Sequence, residues 1–209
     1  IRNESGLIHI QSGRRVAAIV PVYTLGNIPD MDRIMELAGE YRLPVIADAA
    51  AAIGAKYNGL DIGRFSDCSV LSFNGNKTVT AGGGGAIIGN DEAAVYRLRH
   101  LSTTARVSAE YDFDMVGYNY RMTNLQAAVG CAQLERAENL VGRKRYIRKK
   151  YRELLEKVAG ICFFPEPENN ISSCWLSGIV IRNGNLRKLR EICISLKNKG
   201  IEARTFWKP

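Results

Sequence analysis

Apolar residues along this chain come in short unbroken runs separated by amphipathic stretches. RVAAIVPVY (15–23) is a continuous apolar run with β-branched members. DMDRIMELAGEY (30–41) repeats its apolar positions at spacings of three and four, with Pro29 just ahead, and LPVIADAA (43–50) is again a short apolar run. That order predicts a β-α-β unit, with strands buried on both faces and joined by a right-handed crossover. DCSVLSF and GGAIIG supply two more strand candidates. DEAAVYRLRHL reads as a helix with an acidic first turn, and MTNLQAAVGCAQLERAENL as one long helix capped near Thr123 or Asn124. In GRKRYIRKKYRELLEK the positions Tyr146, Ile147, Tyr151, Leu154, Leu155 and Val158 form an apolar stripe, leaving most of the basic residues on a solvated face. Near residue 140 the character shifts. ICFFP, the polar loop PEPENNIS, a strand over WLSGIVIR and the helix NLRKLREICISLKNKG predict a smaller α+β unit, so the chain divides into residues 1–140 and 141–209.

Composition narrows the function. The chain has 209 residues, 46% hydrophobic and 24% charged, which fits a folded globular protein rather than a disordered one. No apolar run approaches the roughly 18 residues needed to cross a bilayer, and the first residues lack the apolar segment of a secretory signal, so a cytoplasmic setting is the expectation. Cys68, Cys131, Cys162, Cys174 and Cys193 are scattered without CxxC pairs, which predicts reduced, packed thiols and no zinc site. The net charge of +8 is concentrated in the basic helix, and a solvated helix face explains it without nucleic acid. The chain starts without methionine and stops at FWKP, so it reads as an internal piece of a longer protein.

Two residues carry candidate chemistry. Asp48 closes the run PVIAD and so stands at the carboxyl end of a predicted parallel strand, where open α/β sheets bind ligands; capping the following helix is its alternative role. Lys77, in SFNGNKTVTAGGGGAII (72–88), follows the strand CSVLSF at the same sheet edge. Its alternative is an ordinary surface lysine, and the four glycines after it permit a sharp turn or close backbone approach to a ligand. Asn76 stands where a Walker A loop needs glycine, and no register completes GxGxxG. HExxH and GxSxG are absent, and His9 and His100 have no catalytic partner in the sequence. One lysine and one aspartate at one sheet edge, without histidine, suit pyridoxal phosphate chemistry: the amine bonds the cofactor aldehyde, and the carboxylate keeps the pyridine nitrogen protonated.

The ordered series GNIPDMDRIMELAGEYRLPVIADAAAAIGAKYNG, SFNGNKTVTAGGGGAII and GYNYRMTNLQAAVGCAQLE closely resembles the DegT/DnrJ-type sugar aminotransferases. The resemblance covers most of residues 16–140. It implies an α/β, three-layer fold type I large domain with a mostly parallel sheet, present in part, followed by the start of a small α+β domain. By position it implies Lys77 as the Schiff-base lysine, Asp48 as the partner of the pyridine nitrogen and Ser72 as a phosphate ligand. Asn119 would reach the phosphate held by a partner subunit, in a homodimer with shared sites. Arg121 would face the anionic substrate, or else form a structural salt bridge, while Tyr118 and Tyr120 read as packing. The implied reaction moves an amino group from an amino acid, glutamate, to a keto nucleotide sugar for bacterial surface glycans or nonulosonic acids, with no metal and no membrane. Lysine at position 77 disfavours the related dehydratases, which have histidine there. Ala47 and Ala51 depart from the family's Glu and Gln, the second removing a polar contact to the cofactor ring. The family's N-terminal cofactor contacts are not in this chain, so alone it is expected to turn over poorly, or to serve as a non-catalytic dimerising piece.

Overall fold

The structure, a computed structural model, describes residues 2–3 and 6–207. The reading of the extreme ends, at Ile1 and at Lys208 and Pro209, lies outside the described residues. Along the chain, β1 (Arg2–Asn3) and β2 (Gly6–Leu7) are followed by α1 (Met31–Tyr41), β3 (Ile46–Asp48), β4 (Lys56–Tyr57) and β5 (Leu60–Asp61). Then come β6 (Cys68–Ser72), β7 (Gly85–Gly89), α2 (Glu92–Ser102), α3 (Asn124–Leu134) and α4 (Ala137–Leu155). The last elements are β8 (Ile161–Phe163), β9 (Asn170–Ile171), β10 (Ile179–Ile181) and α5 (Leu186–Asn198).

The sheet that positions the site has the order β3-β6-β7, with β3 parallel to β6 and β6 antiparallel to β7. The apolar run 15–23 lines up beside β3 through isolated parallel bridges, Ile19 with Val45 and Val22 with Asp48, rather than as a full strand. Pro21 is one reason: it has no N–H to give, although its carbonyl accepts from the Asp48 N–H at 2.9 Å. Residues side by side in the register share a face. Val45, Ala47 and Ser69 point to the core and are fully buried, the first two packed in a cluster with Ile28, Met31 and Ala52. Burying side chains the size of Val45 or Met31 stabilises the fold by about 1.5–3 kcal/mol each. On the opposite face lie Val22 (55% exposed), Val70 (38%) and Ile87 (44%), in register with Asp48. Asp48 therefore sits on the open face of the sheet.

The helices start where their caps dictate. Asp30 accepts from the Arg33 N–H at the head of α1, Asp91 from the N–H groups of Ala93 and Ala94 at α2, and Thr123 and Gln126 close a reciprocal capping box at α3. The single long helix expected after Thr123 is two, interrupted at Glu135 and Arg136, where the Arg136 N–H bonds back only three residues to Gln133. On α4 the expected division of faces holds only in part: Arg143, Lys149, Lys150 and Arg152 are exposed as expected, but the apolar stripe is largely exposed too. Tyr146, Tyr151 and Leu154 are exposed, whereas Arg148 is 7% exposed and pairs with Glu166 at 3.5 Å. Arg145 and Arg148 turn inward because acceptors stand there: Glu166 faces Arg148, and Arg145 donates from Nε to the Ser172 carbonyl at 2.9 Å and from Nη2 to the Gly54 carbonyl at 2.7 Å.

Contacts divide the chain into two units. The first runs through Lys149 and takes in Glu166–Ser177; the second comprises Lys150–Pro165 and the chain from Gly178 onward. Residues 166–177, which the hydrophobic pattern groups with the C-terminal part, thus pack in the first unit. There β9 pairs with β4, and the Asn170 side chain donates to the Ile28 carbonyl at 2.7 Å. Of the strand expected over WLSGIVIR, only Ile179–Ile181 forms, antiparallel to β8 in the second unit. The five thiols are free, with Cys174 buried and Cys131 exposed rather than packed.

Candidate active site

Asp48 is the last residue of β3, and its Oδ1 accepts from the Ala50 N–H at 3.1 Å, a short turn that holds the carboxylate at the strand end. One strand over, β6 ends at Ser72, whose Oγ accepts from the Asn74 N–H at 3.3 Å and keeps its own proton to donate. The loop that follows is a closed excursion. Phe73 bonds through its N–H to the Gly84 carbonyl at 3.0 Å and through its carbonyl to the Ala81 N–H at 2.9 Å, so the two ends of the loop meet. Phe73, Val79 and Ala81 are buried and pack with Ile53, Met122 and Leu140, anchoring the loop from beneath. Gly84 is required by this closure: its φ is +79°, and a Cβ there would lie 2.7 Å from Met122 Cγ. The Lys77 N–H bonds the Asn74 carbonyl at 2.9 Å, which fixes the turn from which the lysine projects.

The Lys77 side chain enters a small cleft, about 10 Å³, with Ala50, Ala51, Ile53, Ser72, Thr78, Val79 and Trp175. Burial lowers the pKa of its amine, and the Asp48 carboxylate partly opposes that shift. The two groups are thus within electrostatic reach, yet they form no ion pair. The Lys77 Nζ instead stands 3.7 Å from the centre of the Trp175 ring. Trp175 is itself buried, and its indole N–H donates to the Asn76 carbonyl at 2.8 Å. Thr78 Oγ1, beside the lysine, is buried without a hydrogen-bond partner.

Asp48, Ser72 and Lys77 thus come to one sheet edge, whereas Asn119 and Arg121 do not join them. Both are exposed; Asn119 makes an isolated antiparallel bridge to Thr103. They lie in a stretch where Val116, Tyr118 and Tyr120 are also exposed, the two tyrosine rings stacked at 5.2 Å. Trp175 was not among the expected site residues, because the apolar run around it reads as part of a strand in the C-terminal unit. His100 does have a partner: its Nε2 is 2.7 Å from Asp114 Oδ1, away from the cleft. A roomier cavity, about 520 Å³, opens elsewhere, between Asp30, Asp32, Arg33, Glu36 and Tyr57, and contains neither Lys77 nor Asp48. Among the described residues no cluster of His, Cys, Asp and Glu is arranged to hold a metal ion, and no helix is long and apolar enough to cross a membrane.

The profile of the DegT/DnrJ/EryC1/StrS aminotransferase family matches residues 9–209. GDP-perosamine synthase of Escherichia coli O157:H7 is 38% identical over 196 residues, 93% of this chain and 53% of that protein. A DegT DnrJ EryC1 StrS aminotransferase from Brucella abortus superposes with a TM-score of 0.82 at 27% identity, covering 92% of this chain and 50% of the other. A Streptococcus pneumoniae chain solved in a PLP-form shares the fold, with a TM-score of 0.86 at 24% identity over 92% of this chain and 55% of its own. The chain spans about half the length of the curated relatives it matches.

Proposed function

The chain belongs to the DegT/DnrJ/EryC1/StrS aminotransferase family, and from that premise we propose that the protein it represents is a pyridoxal phosphate-dependent aminotransferase with a fold type I core. In this reading it moves an amino group from an amino acid, glutamate, to a keto sugar carried on a nucleotide, for bacterial surface glycans or nonulosonic acids. The observation that carries the reading is Lys77: a part-buried amine without an ion pair, in a cleft at the sheet edge, within electrostatic reach of Asp48.

The residues of the cleft fit the cofactor's chemistry. Thr78 Oγ1 is a buried hydroxyl with no partner, Ser72 retains a proton to donate, and the carboxylate of Asp48 lies on the open face of the sheet rather than in the core. Pyridoxal phosphate, when bound, supplies an aldehyde that bonds amines and a ring that takes up carbanion charge. Lys77 is the group that would hold it, and its lowered proton affinity favours the free amine that must accept and return a proton at Nζ. Asp48 would accept a charge-assisted hydrogen bond from the protonated ring nitrogen, an interaction of about 1.5–3 kcal/mol. Ser72 would donate to the phosphate. Asn119 and Arg121 suit a site completed by a second subunit: their exposure, with that of Val116, Tyr118 and Tyr120 around them, supports a homodimer in which Asn119 reaches the partner's phosphate group and Arg121 the anionic substrate. A cytoplasmic enzyme drawing on soluble nucleotide sugars is the corresponding setting.

The test is chemical trapping on the full-length protein. After incubation with pyridoxal phosphate and reduction with borohydride, the cofactor mass should be found on the peptide containing Lys77 and should vanish in Lys77→Ala; an adduct that persists on another residue overturns the assignment. Transfer of labelled nitrogen from glutamate to a nucleotide-linked keto sugar then checks the reaction, and transfer to neither sugar nor keto acid would remove the aminotransferase reading.

A further inference from the structure

The Lys77 amine and the Asp48 carboxylate pose a physical problem for each other. Two opposite charges within electrostatic reach, one of them in a poorly solvated cleft, attract, and a direct ion pair would occupy both groups at once. Lys77 does not take that route. Its Nζ sits over the face of Trp175 at 3.7 Å, well inside the range in which a ring attracts a cation.

The ring cannot swing away freely. Its N–H is bonded to the Asn76 carbonyl, the residue immediately before the lysine, at 2.8 Å, so ring and amine are referenced to the same turn. The segment that delivers it is tied down along its length. Arg145 holds the Ser172 carbonyl, Ser173 Oγ donates to the Ala51 carbonyl at 2.7 Å, and Asn170 holds the Ile28 carbonyl. The remaining walls of the cleft carry no charge: alkyl groups of Ala50, Ala51, Ile53 and Val79 and the hydroxyls of Ser72 and Thr78. Among the described residues, Asp48 is the one charged group that acts on the amine.

We propose that Trp175 is a positioning residue for Lys77, its indole face being the dock on which the ammonium rests when the amine is not bonded to the cofactor, which keeps it from collapsing onto Asp48. The proposal rests on the reading of Lys77 as the cofactor-binding amine, but its test does not need the cofactor. Trp175→Leu keeps an apolar wall and removes the ring; Trp175→Phe keeps a ring face and, like Leu, lacks the N–H. Any difference between the two variants therefore isolates the face from the hydrogen bond.

The measurement is the pH midpoint of Lys77 acylation in the ligand-free chain, read peptide by peptide by mass spectrometry, since a midpoint reports proton affinity and not accessibility. Loss of the ring face should move the midpoint down by about 0.4 to 1.5 pH units in Trp175→Leu, with Trp175→Phe restoring most of it. Equal midpoints for the two variants overturn the dock. A second readout needs no variant: in the wild-type chain the ε-methylene protons of Lys77 should be shifted upfield by the indole ring in a carbon-proton correlation spectrum, and an ordinary lysine position refutes the contact. Trapping of pyridoxal phosphate on Lys77 in the wild-type protein is scored separately, so a failed dock and a failed cofactor assignment give different results.

Discussion

The Ser173 hydroxyl donates to the Ala51 carbonyl at 2.7 Å, and its oxygen occupies the space that a side chain on Gly26 would need: a Cβ there would lie 1.9 Å from it. Gly26 is buried and has φ of +90°, so alanine at this position meets both a steric and a backbone penalty. Gly26→Ala should cost about 2–4 kcal/mol in urea unfolding. Ser173→Ala should cost about 1–2 kcal/mol, because it leaves the Ala51 carbonyl without that donor. The double variant should recover part of the Gly26→Ala loss, since the hydroxyl that clashes is gone; strict additivity would show that the two residues do not compete for one space.

Tyr23 is 1% exposed, and its hydroxyl is buried without a hydrogen-bond partner. An unpaired buried hydroxyl costs free energy, so Tyr23→Phe should be neutral or stabilise the chain by up to about 2 kcal/mol, unlike most core substitutions. Burial also pushes the phenol up to about 12 from 10.0. With the folded value above the unfolded one, this contribution is fully present below pH 10 and is lost as pH rises from 10 through 12, roughly 2–3 kcal/mol in all. Tyr23→Phe should flatten that part of the alkaline unfolding profile; an unchanged profile would mean that the phenol ionises in the native state at its usual pH.

The α/β alternation and the meeting of Lys77 with Asp48 are legible in the sequence because both follow from local rules. Short apolar runs ending in Asp48 and just before Lys77 make adjacent strands, and the loops leave such strands at one edge. Trp175 is not legible, since no local rule reports that a segment after 16 residues of the second unit returns to the first. The same return explains α4. Periodicity assigns Arg145 and Arg148 to solvent, and only the carbonyl of Ser172 and the carboxylate of Glu166, distant in sequence, make their inward placement favourable. Asn119 and Arg121 were expected near the cofactor from the resemblance alone. Within one chain both remain exposed.

Arg145 ties α4 both to the returning segment and to the loop after β3, with Nε on the Ser172 carbonyl and Nη2 on the Gly54 carbonyl. Hydrogen bonds from a charged donor contribute about 1.5–3 kcal/mol. Arg145→Ala should therefore destabilise the chain by about 2–3 kcal/mol. Lysine cannot reproduce the planar fork and should recover less than half of the loss. Chemical denaturation followed by Trp fluorescence gives both numbers. A lysine variant as stable as the wild type would show that charge, and not the geometry of the fork, holds the segment.

Asp48 and Lys77 lend themselves to a sign test. Burial lowers the Lys77 pKa from 10.5, and the Asp48 carboxylate works against burial by favouring the ammonium. Removing that carboxylate should lower the amine's affinity for its proton further. Asp48→Asn is the suitable change, because an amide oxygen can still accept from the Ala50 N–H and preserve the turn. The Lys77 midpoint for acylation in the ligand-free chain should fall in Asp48→Asn. The same shift governs stability. A lysine whose folded value lies below its unfolded one imposes its full cost at low pH, where both states are charged, and the cost is relieved as pH rises from the folded value toward 10.5. Stability should therefore climb across that window in the wild type, start climbing at lower pH in Asp48→Asn, and lose this component in Lys77→Met. An acylation midpoint that does not move in Asp48→Asn would mean that the carboxylate does not act on the amine, and the pairing of these two residues around one cofactor ring would lose its physical basis.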